Sequence, residues 1–128
     1  MTNLTKSIIV VLTITLILSV GILIVESQTK FLRRTYDELV LDNRNHYLSC
    51  EELPTESEVS QVMESHQDVI EKIKQINPGF VGVEMDTSTC PGKADIIFWY
   101  GTHQDRIQIE SIINDDAFYG IPYRLVNQ

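Results

Sequence analysis

Two cysteines and three histidines are the side chains of this sequence with the widest chemical reach. Cys50 and Cys90 lie 40 positions apart, with His46 before them, His66 between them and His103 after them. An even cysteine pair in a small domain predicts one disulfide, formed in an oxidising compartment. The same residues leave a second reading open, because His46, Cys50, Cys90 and His66 offer four nitrogen and sulfur donors of the kind that hold zinc or copper. The close cysteine spacing of zinc sites is missing. The disulfide is therefore the leading expectation, with a metal-binding or thiol-active domain as the alternative.

A His-Gln-Asp triplet occurs twice, at His66, Gln67, Asp68 and at His103, Gln104, Asp105. A histidine beside a carboxylate can serve as a base or a metal ligand. Here His66 falls on an apolar stripe between Met63 and Val69, and His103 lies just inside a helix cap, so structural roles are expected for both. No GxSxG elbow, HExxH helix, Walker loop, GxGxxG turn, CxxC pair or EF-hand loop is present. The usual means of making a nucleophile, activating water or cradling phosphate are thus missing. The expectation is a protein that is not an enzyme and that needs no cofactor.

The elements that must position these residues begin with an uncharged run over 7–25, opening at Ser7 and closing at Val25. Nineteen residues at a helical rise of about 1.5 Å cover roughly 28 Å, close to a bilayer core of about 30 Å. A cleaved signal peptide competes, but its apolar region is usually only about 7 to 15 residues long. An anchor over 1–26 is the reading adopted. Orientation is contested. Lys30, Arg33 and Arg34 follow the span while only Lys6 and the terminal amine precede it, which by the positive-inside rule favours a cytoplasmic domain. Long domains cross largely regardless of such charges, and the cysteine pair favours the extracytoplasmic side.

From Thr35 onward six basic residues face seventeen acidic ones, a formal charge of −11. Such a surface repels phosphate backbones, so nucleic acid is not an expected partner. Helical spacing of Phe31, Leu32, Tyr36, Leu39 and Val40 predicts a juxtamembrane stalk over 27–46 that continues the membrane helix. A single small domain then occupies 47–128. It opens with a short edge strand from Tyr47 to Leu53, closed by Pro54.

Thr55 and Glu58 form a capping-box pattern, and the stripe Val59, Val62, Met63, Val69, Ile70, Ile73, Ile76 predicts one amphipathic helix stopped by Asn77, Pro78 and Gly79. Alternation over 80–86 predicts a strand with Val81, Val83 and Met85 on one face. A loop through Cys90, Pro91 and Gly92 leads to a central strand over 93–100. Thr102 and Asp105 cap a second helix, for which Ile107, Ile109, Ile112 and Ile113 are the expected buried residues. The last strand covers 121–126, with Pro122 marking an edge or bulge.

The echo extends beyond the triplet: Ile70 aligns with Ile107, Ile76 with Ile113, Asn77 with Asn114, and after a one-residue gap Phe80 with Phe118 and Gly82 with Gly120. Two duplicated helix-to-strand units are too few for a solenoid, so they are expected to close one sheet. With the first strand added, the fold class is α+β: a transmembrane helix followed by a β-α-β-β-α-β, ferredoxin-like two-layer domain. If Ala94, Ile96, Phe98 and Tyr100 face the helices, then Ile97 and Trp99, joined by Phe80, point to the open sheet face. An exposed apolar cluster of that kind marks an interface. Asp95 and Arg124 are expected there as an exposed pair of little energetic weight.

A helix, the run FVGV starting at Phe80, a hairpin, a second helix and the run GIPYRL starting at Gly120 together resemble small modules that precede trypsin-like domains in secreted bacterial peptidases. The predicted topology is also similar to that of propeptide inhibitors of subtilisin-like enzymes. The likeness covers 61–126. It implies a stand-alone folding or inhibitor-like role, since no protease domain follows, and it transfers no functional residue. The expected function is a membrane-anchored, extracytoplasmic accessory or inhibitor-like module that binds a protein through Phe80, Ile97 and Trp99. A structural subunit held in a membrane complex through residues 7–25 is a further alternative.

Overall fold

The computed structural model describes residues 2–128, which divide into two compact units, one ending at Tyr36 and the other covering 37–128. In the first unit α1 (Asn3–Thr29) starts from Thr2, whose hydroxyl accepts the Thr5 amide at 3.4 Å. It is long and apolar enough to cross a membrane, with a mean hydropathy of 3.1. No residue of α1 is buried, as suits a helix whose surroundings are not protein. Its hydroxyls bond back into the helix: Thr13 to the Ile9 carbonyl, Thr15 to Val11 and Ser19 to Thr15, each at 2.8 to 2.9 Å. Those three hydroxyls are thereby satisfied within the helix, as a hydrocarbon surrounding requires. The helix does not run on unbroken. Lys30 takes a left-handed conformation (φ 53°), and a second helix, α2 (Phe31–Leu39), begins with its Leu32 and Arg33 amides donated to the Glu26 carboxylate at 2.7 and 3.2 Å.

The second unit is α+β. It holds α3 (Glu56–Ser65), α4 (Gln67–Lys74), β1 (Gly82–Asp86), β2 (Asp95–Tyr100), α5 (His103–Ile113) and β3 (Tyr123–Asn127). Both anticipated capping boxes are formed, Thr55 with Glu58 and Thr102 with Asp105. The first helix breaks at His66, the C-cap of α3 and the N-cap of α4 (φ −123°). One stripe is thereby carried by two helices that pack on different strands, α3 on β2 and α4 on β1 and α5. Asn77, Pro78 and Gly79 then form a turn in which Gly79 supplies φ 87° and the Phe80 amide bonds the Asn77 carbonyl at 2.9 Å.

The sheet runs β1-β2-β3, with β1 antiparallel to β2 and β2 directly parallel to β3. Parallel neighbours need a crossover, and α5 provides it. The split order of a ferredoxin-like sheet, with another strand between the two parallel ones, is not what this pairing gives. The expected strand over 47–53 is the reason, because that stretch is loop. Tyr47 sits at φ 57°, held by its amide on Asn45 Oδ1 at 3.0 Å, so the chain turns where a strand would have to extend. The outer edge of β3 is met instead by Arg44, whose amide and carbonyl each bond Leu125 at 2.9 Å. Residues 37–46, expected as stalk, therefore belong to the folded unit.

Val59, Ile73, Ile96, Phe98, Tyr100, Ile109, Phe118 and Leu125 are fully buried between the helices and one sheet face. The duplicated segments do not bury equivalent residues. Ile70 is 2% exposed but its counterpart Ile107 is 45% exposed, and buried Ile109 aligns with Lys72. Helix α5 instead turns Asp105 and Arg106 inward, and Ile112 and Ile113 are only partly covered.

Candidate functional site

The side of the sheet away from the helices carries Gly82, Glu84 and Asp86 from β1, Asp95, Ile97 and Trp99 from β2, and Arg124 and Val126 from β3, as the register and strand alternation require. Its two ends differ in kind. At the end where β1 leaves and β2 enters, Arg124 reaches Asp95 with two nitrogens, at 2.5 and 3.0 Å, and Asp86 with one at 2.5 Å. Asp95 is 3% exposed, so this is a buried, bidentate pair and not the exposed one expected. Burial acts to raise the Asp95 and Asp86 pKa values. Hydrogen bonds from His46 and Arg124 to the first, and from Ser88, Thr89 and Arg124 to the second, outweigh it and hold both carboxyls below the usual range.

His46 completes the network. Its Nδ1 accepts the Leu48 amide at 3.0 Å, which puts the ring proton on Nε2, where it is donated to Asp95 Oδ2 at 2.7 Å. Both nitrogens are engaged, so His46 offers no lone pair to a metal. Cys50 and Cys90 are joined in a disulfide, with Cα atoms 5.5 Å apart. The four donors proposed for zinc or copper are thus not assembled: two sulfurs are spent on each other, and His66 is elsewhere, stacked on Tyr119 at 3.5 Å. Among the described residues no group of three or more His, Cys, Asp or Glu is placed to hold a metal ion. His103 is also structural in its contacts, its Nδ1 lying 2.8 Å from Asp42 Oδ1, which Arg106 approaches at 2.9 Å.

At the opposite end the face is apolar. Trp99 lies flat across Gly82, so closely that a Cβ there would fall 1.9 Å from the indole. Phe80, two residues earlier on the same side of the chain, sits over Gly101 and is 64% exposed. Ile97 and Val126 are partly buried beside them. Phe80, Ile97 and Trp99 thus share one face, the one opposite buried Ile96, Phe98 and Tyr100. Loop 46–54 reaches the charged end through His46 and is tied down by the Cys50–Cys90 bridge.

Sequence reasoning expected the Asp95–Arg124 pair but missed its burial and the part of Asp86 and His46 in it. A signal was available: Asp95 is the one charged residue in the otherwise apolar run 94–100, and a carboxylate in a central strand demands a partner. A groove of about 500 Å³ near His46, Glu52, Glu58, Lys93 and Asp116 offers less chemistry than its composition suggests. Glu52 already accepts the Ser49 amide at 2.8 Å, Glu58 caps α3, and Lys93 Nζ donates to the Leu53 carbonyl at 2.8 Å. No family model matches this chain, and neither the curated proteins nor the solved structures contain a match.

Proposed function

We propose that the chain is a single-pass membrane protein whose folded unit stands on the extracytoplasmic side and acts by contact with another protein, as an accessory or inhibitor-like module. The observation that carries this reading is the exposed Phe80 ring beside half-buried Trp99, at the opposite end of the sheet face from the disulfide-tied loop. An exposed phenylalanine beside the protein's only tryptophan, at one end of a sheet face, marks a contact surface. The disulfide supports an oxidising compartment, and α1 supplies the tether. The likeness to modules of secreted peptidases and to propeptide inhibitors belongs with this reading as an expectation of topology.

The test is a photo-crosslinking amino acid at Phe80 in cells, with a second placed at Glu51 on the covered side. One discrete adduct from position 80, lost on Trp99→Ser and absent from position 51, is the expected result. Equal labelling from both positions removes the contact face from consideration. Thiol accessibility on intact cells, with and without reductant, tests the compartment separately: an impermeant reagent should react only after reduction.

A further inference from the structure

We infer that α2 is an interfacial helix, lying along the polar boundary of the bilayer that α1 crosses and using its basic end to bind anionic lipid headgroups. This rests on the membrane reading of α1. Along α2 the side chains of Phe31, Leu32, Thr35, Tyr36 and Leu39 fall on one half of the helix, and Arg33, Arg34, Asp37 and Glu38 on the other. The apolar half is bare: Phe31 is 62% exposed, Leu32 55%, Tyr36 54% and Leu39 80%. A stripe this complete on a nine-residue helix needs an apolar medium to justify it.

Three further observations say which medium. The left-handed turn at Lys30 and the Glu26 carboxylate that caps α2 take the chain off the axis of α1, which a simple stalk would not need. The elbow so formed encloses about 690 Å³, lined by Ile17, Gly21, Ile22 and Val25 of α1 and by Phe31 and Leu32 of α2. Both helices turn apolar side chains towards one space, and if hydrocarbon surrounds α1 there, it also meets the start of α2. Finally, the charges of α2 stand at the wrong ends for its own dipole, with arginines in the first turn and acids towards the last. With the turn at Lys30 they gather three basic residues, Lys30, Arg33 and Arg34, at the level where phosphate headgroups begin. Basic residues that by simple counting favour a cytoplasmic domain thereby gain a local use on either side.

The experiment uses the full chain reconstituted in phosphatidylcholine vesicles with and without phosphatidylglycerol. A fluorescent label is placed on single cysteines introduced at Leu32, Leu39, Arg34, Glu38 and, as a control, Ile17; the native pair is bridged and does not react. Labels at Leu32 and Leu39 should be quenched by a lipid-borne quencher and shielded from aqueous iodide, with the reverse at Arg34 and Glu38. In anionic vesicles, Arg33→Gln and Arg34→Gln should each lower the docked-to-undocked ratio read at Leu39 roughly fivefold. Equal water access at all four α2 positions, with Ile17 still in lipid, overturns this inference alone. Water access at Ile17 overturns the membrane reading and this inference with it. Indifference to phosphatidylglycerol and to both arginine variants overturns the headgroup contact. Crosslinking of Leu39→Cys chains to each other at high lipid dilution assigns the stripe to a second copy and also overturns it.

Discussion

The two ends of the uncovered sheet face set a stitched region against a bare one within a few residues of the same strands. At the stitched end, the Cys50–Cys90 bridge, the Arg124 ion network and His46 fasten the entering segment 42–55 to the hairpin that joins β1 to β2. At the bare end, Trp99 rests on a glycine and Phe80 faces outward. The difference teaches that exposure here is local. The same strand β2 contributes Asp95 to one end and Trp99 to the other, so the open half is not a consequence of a loose sheet. The cross-links of this face are gathered where the chain enters, and under the proposed function the other end is the one that meets a partner.

The largest expected effect comes from the covalent stitch. Replacing both Cys50 and Cys90 by serine releases a loop spanning 40 positions, for a loss of about 4 kcal/mol in the chain-entropy account, read as a fall in the urea midpoint of the full chain in detergent. Arg124→Met comes next. It strands two acids, one of them buried Asp95, and should cost about 3 kcal/mol while the sole tryptophan keeps its emission maximum.

The ionic stitch also has a pH signature. Asp86 and Asp95 have folded-state pKa values below their unfolded ones, so the unfolded chain binds more protons in the acid range and stability rises with pH there. Their contribution is complete at neutral pH and is lost as pH falls below about 5. Urea midpoints between neutral and acid pH should show that slope, flattened in Arg124→Met. An unchanged slope in the variant would assign it to other depressed carboxyls such as Asp42, and would remove the ion network from the comparison.

At the bare end, Gly82→Ala should lift the indole off the sheet for about 1 to 2 kcal/mol, with a red shift in tryptophan emission. A cost equal to that of Arg124→Met would mean the two ends are not different in kind. The smallest effect is expected for Phe80→Ser, within about 0.5 kcal/mol, because its ring is already in solvent. Stability that holds while the position-80 crosslink disappears would sharpen the contrast into one between fastening and contact.

Much of the fold could be read from local pattern. The apolar run to Val25, the caps at Thr55 and Thr102, and the alternation placing Val83, Ile96 and Phe98 inward each depend on neighbours a few residues away, and each is realised. The site was legible by half. Phe80, Ile97 and Trp99 followed from strand parity, whereas the Arg124 network joins β1, β2, β3 and the entry loop, which no local window spans.

What the sequence determined by itself is therefore periodic or short-range: where helices start, which strand residues share a face, that one helix suits a membrane, and that two cysteines should pair. Tertiary structure decided the rest. It broke the helix at His66, turned Asp105 and Arg106 inward where duplication had suggested Ile107, set β3 directly beside β2, and filled the sheet edge with Arg44 in place of a strand. The physical reason is common to all four. Each is a choice among nearly equal local conformations, and the burial of side chains against distant partners selects one of them.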